Sequence, residues 1–179
     1  MTSAARTWAA LAISLTAVLP GVGFAQVKPD EPVKLSSCAD THRSGRRIVS
    51  NLEIVEFYVP RFATLKKYRD VDYVEYYVGY GPKQNKMWLR LMFGPLVGGH
   101  SPDLTNTSIK WTAHKWGCQR NEDGTGTDWR GTGTDGRRWR HIAILWGFAA
   151  YEKATPKAAD YFDKILDTMC CGKCSVCQK

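Results

Sequence analysis

The sequence predicts a single α+β domain, in which a mainly antiparallel sheet of about five to six strands packs against one C-terminal helix. Short segments with alternating apolar and polar residues recur between loops that contain glycine and proline, which is typical of antiparallel strands. No stretch in the middle of the chain has helical periodicity. The segment that has it follows Thr155-Pro156, so the strands and the helix are segregated along the chain.

Residues 1–25 predict a signal peptide for export to the periplasm or the cell exterior. Arg6 precedes an uncharged apolar run from Trp8 to Leu19, and Gly23-Phe24-Ala25 offers the small residues that a signal peptidase reads. This run is shorter than the roughly 20 residues that span a bilayer, and no later run predicts a transmembrane segment. We therefore expect an exported chain without a membrane span.

The composition is basic, with 25 lysines and arginines against 17 aspartates and glutamates. Such an excess suits anionic partners, among them envelope polymers, phospholipid headgroups and nucleic acid, of which nucleic acid is not expected after export. An ordinary soluble surface with a positive excess gives the same composition. The charge therefore permits an anionic partner without identifying one.

The mature chain is expected to begin with an extended leader, residues 26–45, which contains proline, lysine and serine but no periodicity. The folded domain is predicted over residues 46–171. Its first strand runs from Ile48 to Val59, where Pro60 ends it. Three further alternating segments predict strands from Val71 to Tyr80, from Met87 to Phe93 and from Ser108 to Trp116.

A near-exact repeat, GTGTDWR followed by GTGTDGR, occupies residues 124–137. Two copies of seven residues are too few and too short for a solenoid. Asp135-Gly136 predicts a hairpin turn between a short strand near Trp129 and a long strand that starts at Arg138. The segment from Trp139 to Tyr151 is apolar on both faces, which is typical of one central strand that is covered on both sides.

The C-terminal helix is predicted to start with Thr155 as its N-cap and Pro156 in its first turn. One helix face is apolar and the other carries three aspartates and a lysine; the two sets are Ala159, Phe162, Ile165, Leu166 and Met169, and Asp160, Asp163, Lys164 and Asp167. We expect the first face to pack on the sheet and the second to face solvent. The helix is expected to run into Cys170-Cys171, after which Gly172 ends it.

Six cysteines in an exported chain predict disulfides by default, and the sequence alone does not choose among their connectivities. The candidates are Cys38, Cys118, Cys170, Cys171, Cys174 and Cys177. In this interpretation Cys170 bonds to Cys38 or Cys118, a C-x-x-C pair closes on itself, and no cofactor is needed. The residues after the domain, 172–179, form a cysteine-rich tail.

The tail also allows two chemical interpretations. Four crowded thiolates suit Cu(I) or Zn²⁺, with Cys170, Cys171, Cys174 and Cys177 as the ligands. Thiol–disulfide exchange is the other, because two overlapping C-x-x-C units are present. A redox-active C-x-x-C opens a helix, however, where the helix dipole lowers the thiol pKa, and these units follow one.

Tryptophans alternate with cations along the predicted strands, a pattern that suits a binding face for an anionic polymer or a glycan. The candidate residues are Trp116, Trp129, Arg130, Arg138, Trp139 and Arg140. Flat rings beside positive charge suit stacking on sugars with contacts to carboxylate or phosphate groups. The alternative is that the rings are core and the cations protect sheet edges from aggregation.

No recognised catalytic motif is present, so we assign no catalytic residues. The leading hypothesis is an exported binding or structural domain of the cell envelope, stabilised by disulfides and without enzymatic activity. The first alternative is a metal-binding or redox protein that acts through the cysteine tail. The second is a hydrolase whose catalytic residues are scattered over several strands.

Overall fold

The computed structural model describes residues 33–35, 37–38, 44–50, 54–97, 101–118 and 121–172. The predicted signal peptide, most of the predicted leader, and Cys174 and Cys177 lie outside these described residues. Within the described ranges, no helix is both long enough and apolar enough to cross a membrane.

The described part of the chain is mostly β, with 57% strand and 12% helix, so the predicted α+β fold of five to six strands is wrong. In chain order the elements are β1 (Val33–Leu35), β2 (Arg46–Val49), β3 (Val55–Val59), β4 (Thr64–Arg69), β5 (Val74–Tyr80), β6 (Met87–Phe93), β7 (Ile109–Cys118), β8 (Asn121–Gly133), β9 (Arg138–Ile144), β10 (Gly147–Ala154), α1 (Pro156–Leu166) and β11 (Cys170–Cys171).

Eight strands form one sheet in the order β1-β7-β8-β9-β10-β6-β5-β4, and three form a second sheet in the order β11-β3-β2. In the large sheet β1 pairs with β7 in parallel, and the other neighbours pair antiparallel. β10 therefore lies between β9 and β6. The pairing of β10 with β6 joins strands β4–β6 and strands β7–β10 into one sheet.

Two segments that were each predicted as one strand are pairs of strands. Residues 48–59 contain the second half of β2 and all of β3, in which Ile48 pairs with Phe57. The segment 139–151 contains most of β9 and the first part of β10, and it reverses at Leu145 and Trp146. Trp146 occupies the left-handed region with φ 55°, where glycine and asparagine are usual. The sequence therefore carries no turn signal at this reversal.

Other predicted elements are confirmed. The strand from Met87 to Phe93 is β6, and Asp135-Gly136 lies in the hairpin between β8 and β9, with Gly136 at φ 75°. Thr155 caps α1, because its hydroxyl accepts a hydrogen bond from the Ala158 amide. The helix ends at Leu166, so its predicted continuation to Cys171 is wrong.

The hydrophobic core lies between α1, the small sheet and one face of the large sheet, which we call the inner face. Leu89, Leu91 and Ile142 of the inner face are fully buried, and so is Phe162 of α1. The predicted apolar helix face is thus confirmed. The predicted solvent position of Asp163 is wrong, because its carboxylate bonds to Arg138, Arg140 and Tyr151 of the inner face.

Two disulfides fasten β11 to the rest of the chain. Cys38 bonds to Cys170, which confirms one of the two predicted partners of Cys170. Cys118 bonds to Cys171, so the C-x-x-C unit of Cys171 and Cys174 is not closed on itself. Because Leu35 pairs with Cys118, both disulfides lie near the same end of β1 and β7.

The glycines of the repeat have a packing role in β8. Trp116 of β7 lies across Gly126, and Trp111 of β7 lies across Gly131, so that a Cβ at either glycine would come within 3.0 Å of the indole ring. Gly133 is covered in the same way by Trp139 of β9. The repeat therefore supplies glycine positions, which have no side chain, and the rings of neighbouring tryptophans lie over them.

Candidate functional site

The outer face of the large sheet, which we define as the face opposite α1, carries a row of paired residues across seven strands. The row starts at Ala113 in β7 and ends at Lys66 in β4, through the pairs Ala113–Trp129, Trp129–His141, His141–Ala150, Ala150–Arg90, Arg90–Tyr77 and Tyr77–Lys66. Directly paired residues project from the same face of a sheet. With strands about 4.8 Å apart, the row is about 29 Å long.

Side chains of this row contact one another or the neighbouring residues Phe148 and Trp88, which lie on the same face. The ring of His141 contacts Trp129 at a centroid distance of 5.9 Å and stacks on Phe148 at 5.2 Å. The guanidinium carbon of Arg90 lies 5.3 Å from the Phe148 ring centre, and Tyr77 packs edge-on against Trp88 at 6.1 Å. We call this set, Trp129, His141, Phe148, Arg90, Tyr77 and Trp88, the aromatic band.

Polar groups hold the middle of the band in place. Arg90 forms an ion pair with Glu75, which has 10% side-chain exposure. Burial and a hydrogen bond with Glu75 raise the pKa of Tyr77 above its ordinary value, so its hydroxyl stays protonated at neutral pH. These contacts fix the orientation of the guanidinium and of the phenol ring, which favours a preformed surface.

At its β4 end the band borders a groove of about 320 Å³ that is lined by Lys66, Tyr68, Glu75, Tyr77 and Trp88. The ammonium groups of Lys66 and Lys86 lie 4.9 Å and 5.6 Å from the centre of the Trp88 ring. Among the described residues, no carboxylate forms an ion pair with either lysine. The groove therefore combines aromatic surface with two positive charges that no described acid neutralises.

The structure does not bring the six predicted binding residues together on one face. Trp129 lies in the aromatic band, and Trp139 is on the same outer face, paired with Gly131. The other four, Trp116, Arg130, Arg138 and Arg140, project from the inner face because they occupy the opposite positions of the strand alternation. Trp116 is buried at 3% exposure, which agrees with the alternative interpretation of its ring as core.

The three predicted arginines of the inner face are held by aspartates. Arg140, at 4% exposure, bonds to Asp128 at 2.9 and 3.0 Å, to Asp163 of α1 and to Asp167, the residue that follows α1. Burial alone lowers the pKa of Arg140, but the hydrogen bonds and the charge of its aspartates outweigh it and raise that pKa. Arg138 pairs with Asp160 and Arg130 pairs with Asp128. This cluster joins the helix to the sheet.

The cysteines form a compact group beside the small sheet. The sulfurs of Cys38 and Cys170 and a carboxylate oxygen of Glu56 all lie within 4.8 Å of one another. Disulfide sulfurs are not thiolates, and the thiolate is the metal-binding form. Both disulfides must therefore be reduced before Cys170 and Cys171 can bind a metal together with the tail cysteines. The copper or zinc site of Cys170, Cys171, Cys174 and Cys177 stays a prediction, and the last two lie outside the described residues.

Sequence reasoning missed the β4–β6 end of the band, where Lys66, Tyr77, Trp88 and Arg90 lie. The available signal was the alternation within each strand, which puts Tyr77 on the same face of β5 as Glu75 and Trp88 on the same face of β6 as Arg90. The resulting surface can stack on flat or apolar rings and can bind anions. The chain matches no known family model, no curated protein and no solved structure.

Proposed function

We propose that this chain is an exported, non-enzymatic domain of the cell envelope that binds an anionic glycan along its outer face. The observation that carries the proposal is the groove between β4 and β6. There Lys66 and Lys86 flank Trp88 without an acidic partner among the described residues. The arginines of the inner face are unsuited to this role, because aspartates already neutralise them.

The shape of the band suits a linear ligand. The paired row crosses seven strands. Its partly exposed rings, Trp129, Tyr77 and Trp88, can contact a polymer chain, whereas His141 and Phe148 are buried at 6% and 5% exposure and support their neighbours. Aromatic side chains offer the apolar faces of sugar rings a flat contact surface, and nearby cations meet carboxylate or phosphate substituents. Many weak contacts of this kind add up along one polymer chain.

The covalent framework supports an extracytoplasmic role. Disulfides form and persist in oxidising compartments, and the chain has two within its described residues. This agrees with the signal peptide that residues 1–25 predict. A rigid sheet fastened in this way presents its outer face without large rearrangement, which reduces the entropy lost on binding.

The proposal is tested with the disulfide-bonded mature chain and two soluble probes, polygalacturonate as the anionic polymer and dextran as the neutral one. Titration calorimetry should detect polygalacturonate binding that weakens with added salt, and little binding of dextran. Replacing both lysines, Lys66→Gln with Lys86→Gln, should weaken binding about tenfold, since two charge-assisted contacts are lost.

The matched control is Lys110→Gln, which removes an exposed lysine from the opposite face of the sheet. Binding by this variant should equal that of the unchanged chain. If Lys110→Gln weakens binding as much as the double variant, attraction by net charge explains the binding and the groove proposal is wrong. Absence of polygalacturonate binding would equally contradict it.

A further inference from the structure

One edge of the large sheet combines exposed cations with exposed apolar side chains. β4 is the last strand of the sheet, and residues 61–71 comprise β4 with its two flanking turns. We call this segment the basic edge. Its cations are Arg61, Lys66, Lys67 and Arg69, all of them exposed. The nearby acids are Asp70, Asp72 and Glu75, and Glu75 already forms an ion pair with Arg90, so the edge has a positive excess.

The cations of the basic edge contact aromatic rings and not acids within the described fold: Lys66 lies over Trp88 and Lys67 over Tyr76. None of them forms an ion pair with a described carboxylate. Lys66 and Lys67 project from opposite faces of the sheet, since they are neighbours in one strand. A surface that contacts the sheet at this edge is therefore close to positive charge on both faces of β4.

Two apolar side chains mark the ends of this edge. Phe62, just before β4, is 101% exposed, and Val71, just after it, is 95% exposed. Tyr68, between them, is 52% exposed. Because six extended residues span about 20 Å, Phe62 and Val71 are too far apart to share one small pocket. A continuous apolar phase can accept both at once.

We propose that the basic edge docks on the surface of an anionic phospholipid bilayer, with Phe62 and Val71 inserted among the headgroups. The lysines and arginines then reach the lipid phosphates while their methylene chains lie along the interface. An acidic polymer would account for the cations, but it would leave both apolar side chains in water. The combination of cations with exposed apolar side chains therefore favours a lipid surface.

This inference does not depend on glycan binding, because Phe62, Lys67, Arg69 and Val71 lie outside the groove. The test is co-sedimentation of the disulfide-bonded mature chain with vesicles of phosphatidylglycerol and phosphatidylethanolamine, and with vesicles of phosphatidylcholine alone. We expect binding to the anionic vesicles only. The double variant Phe62→Ser with Val71→Ser should weaken that binding about tenfold and leave polygalacturonate binding unchanged.

The matched control is Leu104→Ser, which replaces another exposed apolar side chain, at 53% exposure, in the loop before β7. Its vesicle binding should be unchanged, because β7 is six positions from β4 in the sheet. Lys67→Gln with Arg69→Gln should also weaken binding. If only this cation variant weakens it, and the Phe62 and Val71 variant binds normally, the contact is purely electrostatic and apolar insertion is refuted. Absence of binding to anionic vesicles refutes the proposal altogether.

Discussion

Arg140 and Asp128 form two parallel hydrogen bonds across the paired strands β9 and β8, from Nε to Oδ1 at 3.0 Å and from Nη2 to Oδ2 at 2.9 Å. Both residues are buried. The remaining guanidinium nitrogen, Nη1, reaches Asp163 and Asp167 on the helix side. One arginine thus connects two strands and α1 through a polar layer inside the fold.

Removing this guanidinium should destabilise the protein strongly. In Arg140→Met the buried carboxylates lose their shared cation, and breaking a buried pair in this way costs about 3–5 kcal/mol in free energy of unfolding. Urea denaturation measures the loss. Lys110→Met, at an exposed position, should stay within about 0.5 kcal/mol of the unchanged chain. Equal stabilities of the two variants would contradict the role of the cluster.

Two aspartates of α1 provide a matched comparison. Both pair with Arg138, but Asp160 has 63% side-chain exposure and Asp163 has 15%. Asp163 also bonds to Arg140 and accepts from the Tyr151 hydroxyl. Asp163→Ala should therefore lower the free energy of unfolding by about 1–3 kcal/mol, whereas Asp160→Ala should change it by less than about 1 kcal/mol. Thermal and urea unfolding should agree on this order, and the reverse order would refute it.

The case of Asp163 shows what a helical pattern can and cannot predict. The spacing of Phe162, Ile165 and Leu166 correctly identified the face that packs in the core, because burial of apolar residues leaves a local period in the sequence. The same pattern assigns every aspartate to solvent. Whether a polar face meets water or a row of arginines depends on strands that are distant in the sequence, and no local period records that.

The strands were predictable where turn chemistry marked their ends. Asp135-Gly136 is such a mark, and β6 is predicted from the sequence with its correct limits. At Leu145 and Trp146 the reversal is made by two apolar residues, so two strands were predicted as one. The aromatic band was hidden for a related reason: its halves meet only because β10 pairs with β6, a contact between distant segments.

A second left-handed residue, Lys153, allows a test of backbone strain. Its φ is 48° and its side chain is exposed, next to the irregular pairing between Tyr151 and Ala154 in β10. Lys153→Gly should stabilise the protein by about 1 kcal/mol, because glycine adopts this conformation without strain. Lys157→Gly, at an exposed position in the first turn of α1, should destabilise it by less than about 1 kcal/mol, because glycine favours a helix less than lysine does. Denaturation curves that shift in the same direction for both variants would contradict this.

Acid stability should depend on Glu56, whose carboxylate accepts a 2.7 Å hydrogen bond from Nε of Arg47. This interaction lowers the pKa of Glu56 against the opposing effect of burial. The unfolded chain, with a glutamate pKa of about 4.3, then binds the proton more tightly. The stability from this pair is therefore present above that pH and is lost as the pH falls through the folded-state pKa.

The corresponding measurement compares urea denaturation of the unchanged chain and of Glu56→Gln from about pH 6 to about pH 3. Glu56→Gln should be less stable than the unchanged chain at the higher pH. The difference between their free energies of unfolding should shrink as the pH falls. The matched control is Glu152→Gln, which removes an exposed carboxylate of β10 from the same chain. A gap that widens toward acid for Glu56→Gln would show that the carboxylate does not stabilise the fold.

The two disulfides should contribute unequally. Cys38 and Cys170 are 132 residues apart in the sequence, and Cys118 and Cys171 are 53 apart. In the chain-entropy model a longer loop restricts the unfolded chain more, by about 0.8 kcal/mol for these two lengths. Cys170 is also fully buried. The double variant Cys38→Ser with Cys170→Ser should therefore lose more stability than Cys118→Ser with Cys171→Ser.

Peptide mapping of the unchanged mature chain, with metal analysis on the same sample, tests the bonds themselves. Both disulfides should be recovered, with no free thiol at Cys38, Cys118, Cys170 or Cys171. Free thiols at Cys170 and Cys171 together with stoichiometric copper or zinc would overturn this and favour the metal-binding tail. Because the metal needs thiolates at positions that the fold uses for disulfides, one sample cannot satisfy both outcomes at those two residues.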